Sequence, residues 1–109
     1  MPASDVKEDY FRLPQNLTVR AITVVQQEML QFLANTASAT IDIDDDCQVD
    51  ISFIQLMEAA RIYAGTAGKH VALSRPASGP TLDVLKRSGF LEGMSAEDLQ
   101  FWLHQGGIQ

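Results

Sequence analysis

The feature that most constrains the fold of this chain is a change in hydrophobic period near its middle. Residues 39–44 alternate with period two and are rich in β-branched side chains, which is typical of a β-strand. On either side, apolar residues recur at helical spacing, over about residues 19–34 and again from Ser52 onwards. A strand enclosed by two amphipathic helices predicts an α/β fold built in layers.

The remainder of the chain continues this alternation. Residues 10–14 and 69–74 are expected to form strands, and a further short strand near residues 90–92 is left open. Strands joined by helices imply a largely parallel sheet. The sequence therefore predicts an α/β fold with a mixed, mostly parallel sheet of four to five strands and about four helices packed mainly on one face.

Four local signals set the expected helix boundaries. Thr18 is expected to cap the first helix and Ser52 the second. Ser95 with Asp98 forms a variant of the capping box before the last helix. The glycines at 106–107 are expected to end that helix.

Length and charge narrow the class of protein. The chain has 109 residues, which supports one domain, expected over residues 9–109 after a polar, flexible tail at residues 1–8. Its formal charge is −6 and it has no cluster of Lys and Arg, so no nucleic-acid or anionic-membrane partner is expected. There is no signal-peptide pattern and no apolar run near the roughly 18 residues of a membrane span. We expect a cytoplasmic protein.

A run of aspartates suggests a metal site at first sight. The run consists of Asp42, Asp44, Asp45 and Asp46. Three of them match the first ligand positions of a calcium-binding EF-hand loop, but Cys47 stands where that loop requires Gly and Phe53 where it requires Glu. A magnesium site would need carboxylates from two strand ends, whereas these come from one. We expect no metal and a solvated strand end instead.

No motif indicates catalysis. Cys47 is the only cysteine, so no intrachain disulfide can form, and Cys47 with His70 lies in no recognisable nucleophile motif. No glycine loop suited to phosphate binding is present. We expect no catalytic residue and no cofactor. A small enzyme that uses Cys47, His70 or the aspartate run is the alternative, and it requires these groups to converge in one cleft.

Ser52 is the side chain that the sequence singles out. It follows Asp50 closely and stands where a helix is expected to begin. A serine there acts as a helix cap worth about 1 kcal/mol, and this role explains it without any further function. A phosphate on the same hydroxyl would be favoured by the helix N-terminus and opposed by Asp50. Both interpretations stay open on the sequence.

Five short segments in a fixed order resemble the STAS domain, which is shared by sulphate-transporter tails and antagonists of anti-sigma factors. The segments are LPQNLT at 13–18, ATIDID at 39–44, VDISFI at 49–54, AGKHVAL at 67–73 and LDVLKRSGFL at 82–91. The resemblance covers about residues 11–103. It implies a STAS-like fold and a non-enzymatic module that binds another protein.

The resemblance also assigns a role to Ser52. In the antagonists, the helix begins Asp-Ser-Ser/Thr-Gly-Leu and the second hydroxyl accepts a phosphate, so Asp50 matches the Asp and Ser52 the acceptor. Ile51 and Phe53 depart from the pattern, and Ile54 replaces Leu. A ring at Phe53 hinders a kinase if it lies beside the acceptor, and leaves Ser52 accessible if it turns inward.

The expected function is regulated docking to a protein partner. The expected contact residues are Asp45, Asp46, Gln48, Asp50, Ser52 and Gln55. The segment DISFIQL at 50–56 is similar to stand-alone bacterial STAS proteins of chemotaxis and two-component signalling, which implies a GHKL-type kinase, an anti-sigma factor or a chemotaxis protein as partner. A constitutive adaptor subunit, as in bacterial lipid-transport ATPase complexes, is the alternative in which Ser52 only caps its helix.

Overall fold

The computed structural model describes residues 9–105, and its elements alternate between strand and helix. In chain order they are β1 (Asp9–Arg12), β2 (Asn16–Leu17), α1 (Ile22–Ala34), β3 (Ser38–Asp42), β4 (Gln48–Val49), α2 (Ile51–Thr66), β5 (His70–Leu73), α3 (Gly79–Arg87), a 3₁₀ helix (Phe90–Gly93) and α4 (Ala96–Leu103). The α/β class and the four α-helices are confirmed. The expected tail at residues 1–8 and the glycines at 106–107 lie outside the described residues.

The strands are divided between two small parallel sheets. The larger has the order β1-β3-β5, and its central Ile41 lies between Phe11 and Leu73. The smaller pairs β2 with β4, where Leu17 lies opposite Val49. The prediction of a single sheet of four to five strands was therefore wrong, because the described strands form one sheet of three and one of two.

The division has a cause in the backbone. The Leu13 N–H donates to the Asp42 carbonyl at 3.0 Å, but the next residue, Pro14, has no N–H to continue the ladder. On the β3 side the chain turns at Asp44, whose carbonyl accepts the Cys47 N–H at 3.2 Å. Both segments leave the larger sheet at this level and pair again as β2 and β4. Residues 48–49 belong to this second pair.

Two helix boundaries also differ from expectation. α1 begins at Ile22 rather than near Val19, and Thr18 does not cap it. Instead the Asn16 side chain accepts hydrogen bonds from the Thr18 N–H at 3.0 Å and the Thr18 hydroxyl at 2.7 Å. This local turn competes with the first helical turn. α4 ends at Leu103, before the expected glycines.

The segment at 90–92 is not a strand. α3 ends as Gly89 takes a left-handed conformation with φ 78°, and the Glu92 N–H then donates to the Gly89 carbonyl at 3.2 Å. That bond closes a 3₁₀ turn instead of a strand. The capping box of α4 is confirmed, since the side chain of Ser95 accepts the Asp98 N–H and the Asp98 carboxylate accepts the Ser95 N–H.

One side of the larger sheet carries the core. Ile41 is fully buried and Phe11 stacks on Phe32 of α1 with ring centroids 4.9 Å apart. On the other side of β1, Tyr10 and Arg12 are exposed. None of the helices described in residues 9–105 combines the length and apolar character that crossing a membrane requires.

Candidate functional site

The start of α2 is built on Asp50. Asp50 is the N-cap, in extended conformation with φ −135° and ψ −174°, and its Oδ1 accepts the Ser52 N–H at 3.0 Å. The Ser52 hydroxyl donates to the same oxygen. The prediction that Ser52 caps α2 was therefore wrong, because Asp50 is an equally good cap type and lies one residue before the helix. Ser52 is the second residue of the helix.

The second carboxylate oxygen of Asp50 holds another part of the chain. Its Oδ2 accepts the Val19 N–H at 2.9 Å, so the turn before α1 is tied to the start of α2. Partial burial on its own would raise the pKa of Asp50, but the bonds from the Ser52 hydroxyl and the Val19 and Ser52 amides outweigh it, and the pKa lies below its ordinary value. The carboxylate therefore stays charged and bound over the physiological range.

The same local geometry occurs twice at this edge. Asn16, the first residue of β2, accepts hydrogen bonds from both the amide and the hydroxyl of Thr18. Asp50, the residue after β4, accepts hydrogen bonds from both the amide and the hydroxyl of Ser52. Because β2 and β4 are paired in parallel, the two turns lead into α1 and α2 side by side. Two hydroxyl groups are thus fixed near the starts of two neighbouring helices.

Phe53 turns inward. Its side chain is fully buried in the core together with Ile54, whereas Ser52 is partly exposed and Ile51 is 43% exposed. The ring therefore does not cover the surface beside the Ser52 hydroxyl. Of the two arrangements considered for Phe53, the structure has the one that leaves Ser52 accessible.

Asp45 is bound to the segment that precedes α3. Its Oδ2 lies 2.9 Å from Arg75 Nη1 and its Oδ1 accepts the Ser78 hydroxyl at 3.2 Å. The Arg75 Nη2 donates to the Ile43 carbonyl at 2.9 Å. Contact with Asp45 also raises the pKa of Arg75. The loop after β3 is therefore fixed by ion pairing to the loop after β5.

Asp42 shares Arg75 with Asp45, at 3.7 Å, and also has a partner of its own, while Asp44 has local partners. Asp42 accepts the Ser74 hydroxyl at 2.7 Å, and Asp44 accepts the Asp46 N–H at 2.9 Å and the Gln15 amide at 3.3 Å. The Asp46 N–H, followed by Gln15, lowers the pKa of Asp44. Over residues 9–105 no three His, Cys, Asp or Glu side chains come together in a way that could hold a metal ion.

The expected docking residues all reach the surface, but they are not one contact network. Asp46, Gln48 and Gln55 are exposed, and the Gln48 N–H donates to the Gln15 carbonyl at 2.7 Å as part of the β2–β4 pair. Among the six residues, the structure brings Asp50 and Ser52 into direct contact. Of the six expected docking residues, the two that touch each other therefore lie at the first turn of α2.

A groove beside this turn was not foreseen. It has a volume of about 280 Å³ and lies between the start of α2 and the end of α3. It is lined by Val49, Asp50, Ile51, Val84, Arg87 and Ser88. No local pattern could have indicated it, because its two walls are more than thirty residues apart in the chain. The sequence signal for this groove is Ile51, an apolar residue in the first turn of α2 that the structure leaves exposed.

Cys47 and His70 occupy opposite ends of the larger sheet. His70 pairs with Ser38 at the start of β3, whereas Cys47 follows the end of that strand. The Cys47 side chain is buried 3.5 Å from the Thr81 hydroxyl, and burial raises the pKa of its thiol. The structure does not bring the two groups of the suggested thiol dyad together.

Comparison with protein-family models, with curated proteins and with solved structures found no match to this chain. The function proposed below therefore rests on the site itself and on the sequence resemblance.

Proposed function

We propose that this chain is a non-enzymatic regulatory module of the STAS type that docks onto a protein partner, with phosphorylation of Ser52 as the switch. The partner class is a GHKL-type kinase, an anti-sigma factor or a chemotaxis signalling protein. The observation that carries the proposal is the partly exposed Ser52 hydroxyl in the first turn of α2, with Phe53 turned into the core.

The switch is electrostatic and local. A phosphate on Ser52 brings about −1.5 to −2 charges next to the Asp50 carboxylate, which now accepts the Ser52 hydroxyl. The modified oxygen can no longer donate to Asp50, and the two negative groups repel each other. The backbone amides at the start of α2 favour the phosphate. The Asp50 carboxylate is therefore expected to move away from the first turn of α2.

That displacement would be transmitted beyond α2. Asp50 also accepts the Val19 N–H, so moving its carboxylate loosens the tie between the turn before α1 and the start of α2. The neighbouring surface includes the exposed Ile51 and the groove that reaches Arg87. A partner seated on this surface would meet both added charge and altered shape, and its affinity would fall.

The test combines modification with binding. The purified chain is incubated with a cognate kinase and ATP, and the site is mapped by mass spectrometry in the wild type and in Ser52→Ala. Affinity capture from the native cytoplasm with wild-type and Ser52→Asp baits then identifies the partner. We expect a phosphate on Ser52 and at least a roughly tenfold loss of affinity for Ser52→Asp, equivalent to about 1.4 kcal/mol.

Thr66 provides the control, since its side chain is exposed at the opposite end of α2 from Ser52. Thr66→Asp should leave partner binding within about twofold of the wild type. A wild-type chain that stays unmodified at Ser52, or a Ser52→Asp variant with unchanged affinity, contradicts the switch.

A constitutive adaptor subunit is the second candidate. It is favoured by the bond from the Ser52 hydroxyl to Asp50, which gives this serine a structural role without modification. In that case Ser52→Ala loses stability, and Ser52→Ala and Ser52→Asp both keep full partner binding. The same capture experiment would then return an ATPase and permease rather than a kinase.

A further inference from the structure

Arg20 differs from the other arginines of the chain. Within the part of the chain that the structure describes, its exposed side chain forms no ion pair, although the chain has 14 acidic residues and 8 basic ones. The other four arginines each form an ion pair with a carboxylate: Arg12, Arg61, Arg75 and Arg87. The guanidinium of Arg20 is therefore available to an anion.

Arg20 belongs to the turn that Asp50 ties to α2. The turn spans residues 18–21 and is closed by a backbone hydrogen bond of 2.9 Å between its end residues. Its Val19 N–H donates to Oδ2 of Asp50, and the Ser52 hydroxyl donates to Oδ1 of the same side chain. A single carboxylate group therefore separates the Ser52 hydroxyl from the backbone next to Arg20.

Ser52 lies on the side of α2 that faces α1. Leu56 and Ala59 follow it by about one and two helical turns, and both line the shallow groove between α1 and α2. Ile51, by contrast, lines the groove towards the end of α3, where Arg87 lies. The Ser52 side chain is therefore directed towards the start of α1 rather than towards Arg87.

We propose that Arg20 binds the phosphate of phosphorylated Ser52. This inference rests on the proposed phosphorylation of Ser52 and assigns the residue that receives the added charge. A phosphoserine offers three acceptor oxygens and about −1.5 to −2 charges, and the planar guanidinium of arginine binds such a group through two parallel hydrogen bonds. The three-methylene stem of Arg20 reaches across the space that the Asp50 carboxylate now fills.

The modification thereby exchanges one tie between the two helix starts for another. In the unmodified chain the Asp50 carboxylate joins the start of α2 to the Val19 amide. In the modified chain the phosphate takes the place of that carboxylate, and the Arg20 side chain provides the contact from the turn. Phosphorylation then also removes an exposed positive charge from the surface beside the first turn of α2.

Phosphorus-31 NMR tests the contact without a kinase, on a chain that receives phosphoserine at position 52 during translation. The second pKa of a phosphoserine is about 6, and a guanidinium bound to it lowers that pKa. Arg20→Gln should therefore raise this pKa by about 1 relative to the phosphorylated wild type. Arg20→Lys keeps the charge and should restore most of the difference.

Arg87→Gln is the matched control. Arg87 is an exposed arginine that borders the start of α2 from the other side and is paired with Asp83 at 2.9 Å. Its replacement should change the phosphate pKa by less than about 0.3, because solvent and salt screen an exposed charge that does not touch the phosphate. Without the phosphate, Arg20→Gln should unfold at the same urea concentration as the wild type.

The outcomes separate this proposal from the switch itself. Equal phosphate pKa values in the wild type and in Arg20→Gln overturn the role of Arg20, even where phosphorylation weakens partner binding. A larger effect of Arg87→Gln than of Arg20→Gln overturns it as well, because the phosphate then lies towards α3. A chain that its kinase leaves unmodified contradicts the switch, whereas the titration still measures the contact with Arg20.

Discussion

At the scale of single residues, Asp50 connects more of the site than any neighbour does. It caps α2, orients the Ser52 hydroxyl and holds the Val19 amide. Sequence reasoning identified both Asp50 and Ser52 but assigned the cap to Ser52, because either residue type can cap a helix. Which of the two caps α2 depends on the residue at which the chain leaves the β2–β4 pair.

Replacing Asp50 by Ala should lower the free energy of unfolding by about 1–2 kcal/mol, because the Ser52 and Val19 amides lose their acceptor. Urea unfolding followed by circular dichroism measures this. Asp46→Ala is the control, since Asp46 is an exposed loop carboxylate, and it should change the value by less than about 0.5 kcal/mol. Equal effects of the two variants would contradict the assignment of Asp50 as the cap.

The lowered pKa of Asp50 gives a prediction for pH. A carboxyl group whose folded-state pKa is below its unfolded value of about 3.9 stabilises the fold above that value, and this contribution is lost as pH falls through the folded-state pKa. Stability should therefore decline in the acidic range below about pH 4. Asp50→Asn, which keeps a capping oxygen without the charge, should show a smaller decline in urea titrations from neutral pH to about pH 3. An unchanged pH profile in this variant would argue against a bound Asp50 carboxylate.

At the scale of elements, α4 is attached to α2 by a polar network under an aromatic cluster. The Trp102 indole donates to Glu58 at 2.9 Å, Arg61 joins Glu58 to Asp98, and the Arg61 guanidinium lies 4.5 Å from the centre of the Phe101 ring. Burial alone would raise the pKa of Asp98, but the bonds from Arg61 and Ser95 outweigh it and lower that pKa. One arginine thus connects two helices and a helix cap.

Arg61→Ala should destabilise the fold by about 1–3 kcal/mol, because Glu58 and Asp98 lose their shared cation in a partly buried setting. Arg87→Ala is the matched control. Arg87 forms an exposed ion pair with Asp83 at 2.9 Å, and such a pair is worth less than about 1 kcal/mol. Hydrogen exchange should show faster opening of α4 in Arg61→Ala alone. A loss no larger than that of Arg87→Ala would show that the network contributes little.

At the scale of the whole molecule, the position of Phe53 determines which side chains in the first turn of α2 lie in the core and which lie at the surface. Its ring is part of one continuous core with Ile41, Met57 and Trp102. The first turn of α2 therefore contributes one side chain to the interior and leaves its neighbour Ser52 at the surface.

Phe53→Ala should cost about 3–5 kcal/mol, because it leaves a cavity in the closed core. That is a large part of the roughly 5–15 kcal/mol that stabilise a domain of this kind. The fluorescence of Trp102, the only tryptophan, reports the unfolding transition. Ile51→Ala, at a 43% exposed position of the same turn, should cost less than about 1 kcal/mol. A loss below about 1 kcal/mol for Phe53→Ala would contradict its place in the core.

The sequence by itself determined the features that depend on neighbours along the chain. The period-two segment became β3, the helical stripes became α1 and α2, and the Ser95–Asp98 pair formed its capping box. Each of these follows from side-chain periodicity or from hydrogen bonds within one turn. Such interactions need no information about the rest of the fold.

Only the tertiary structure decided the features that join distant segments. It divided the strands into two sheets, bound Asp50 to Val19 and turned Phe53 inward. These arrangements depend on which segments pack together, and packing is set by the burial of the whole core rather than by any short stretch of residues.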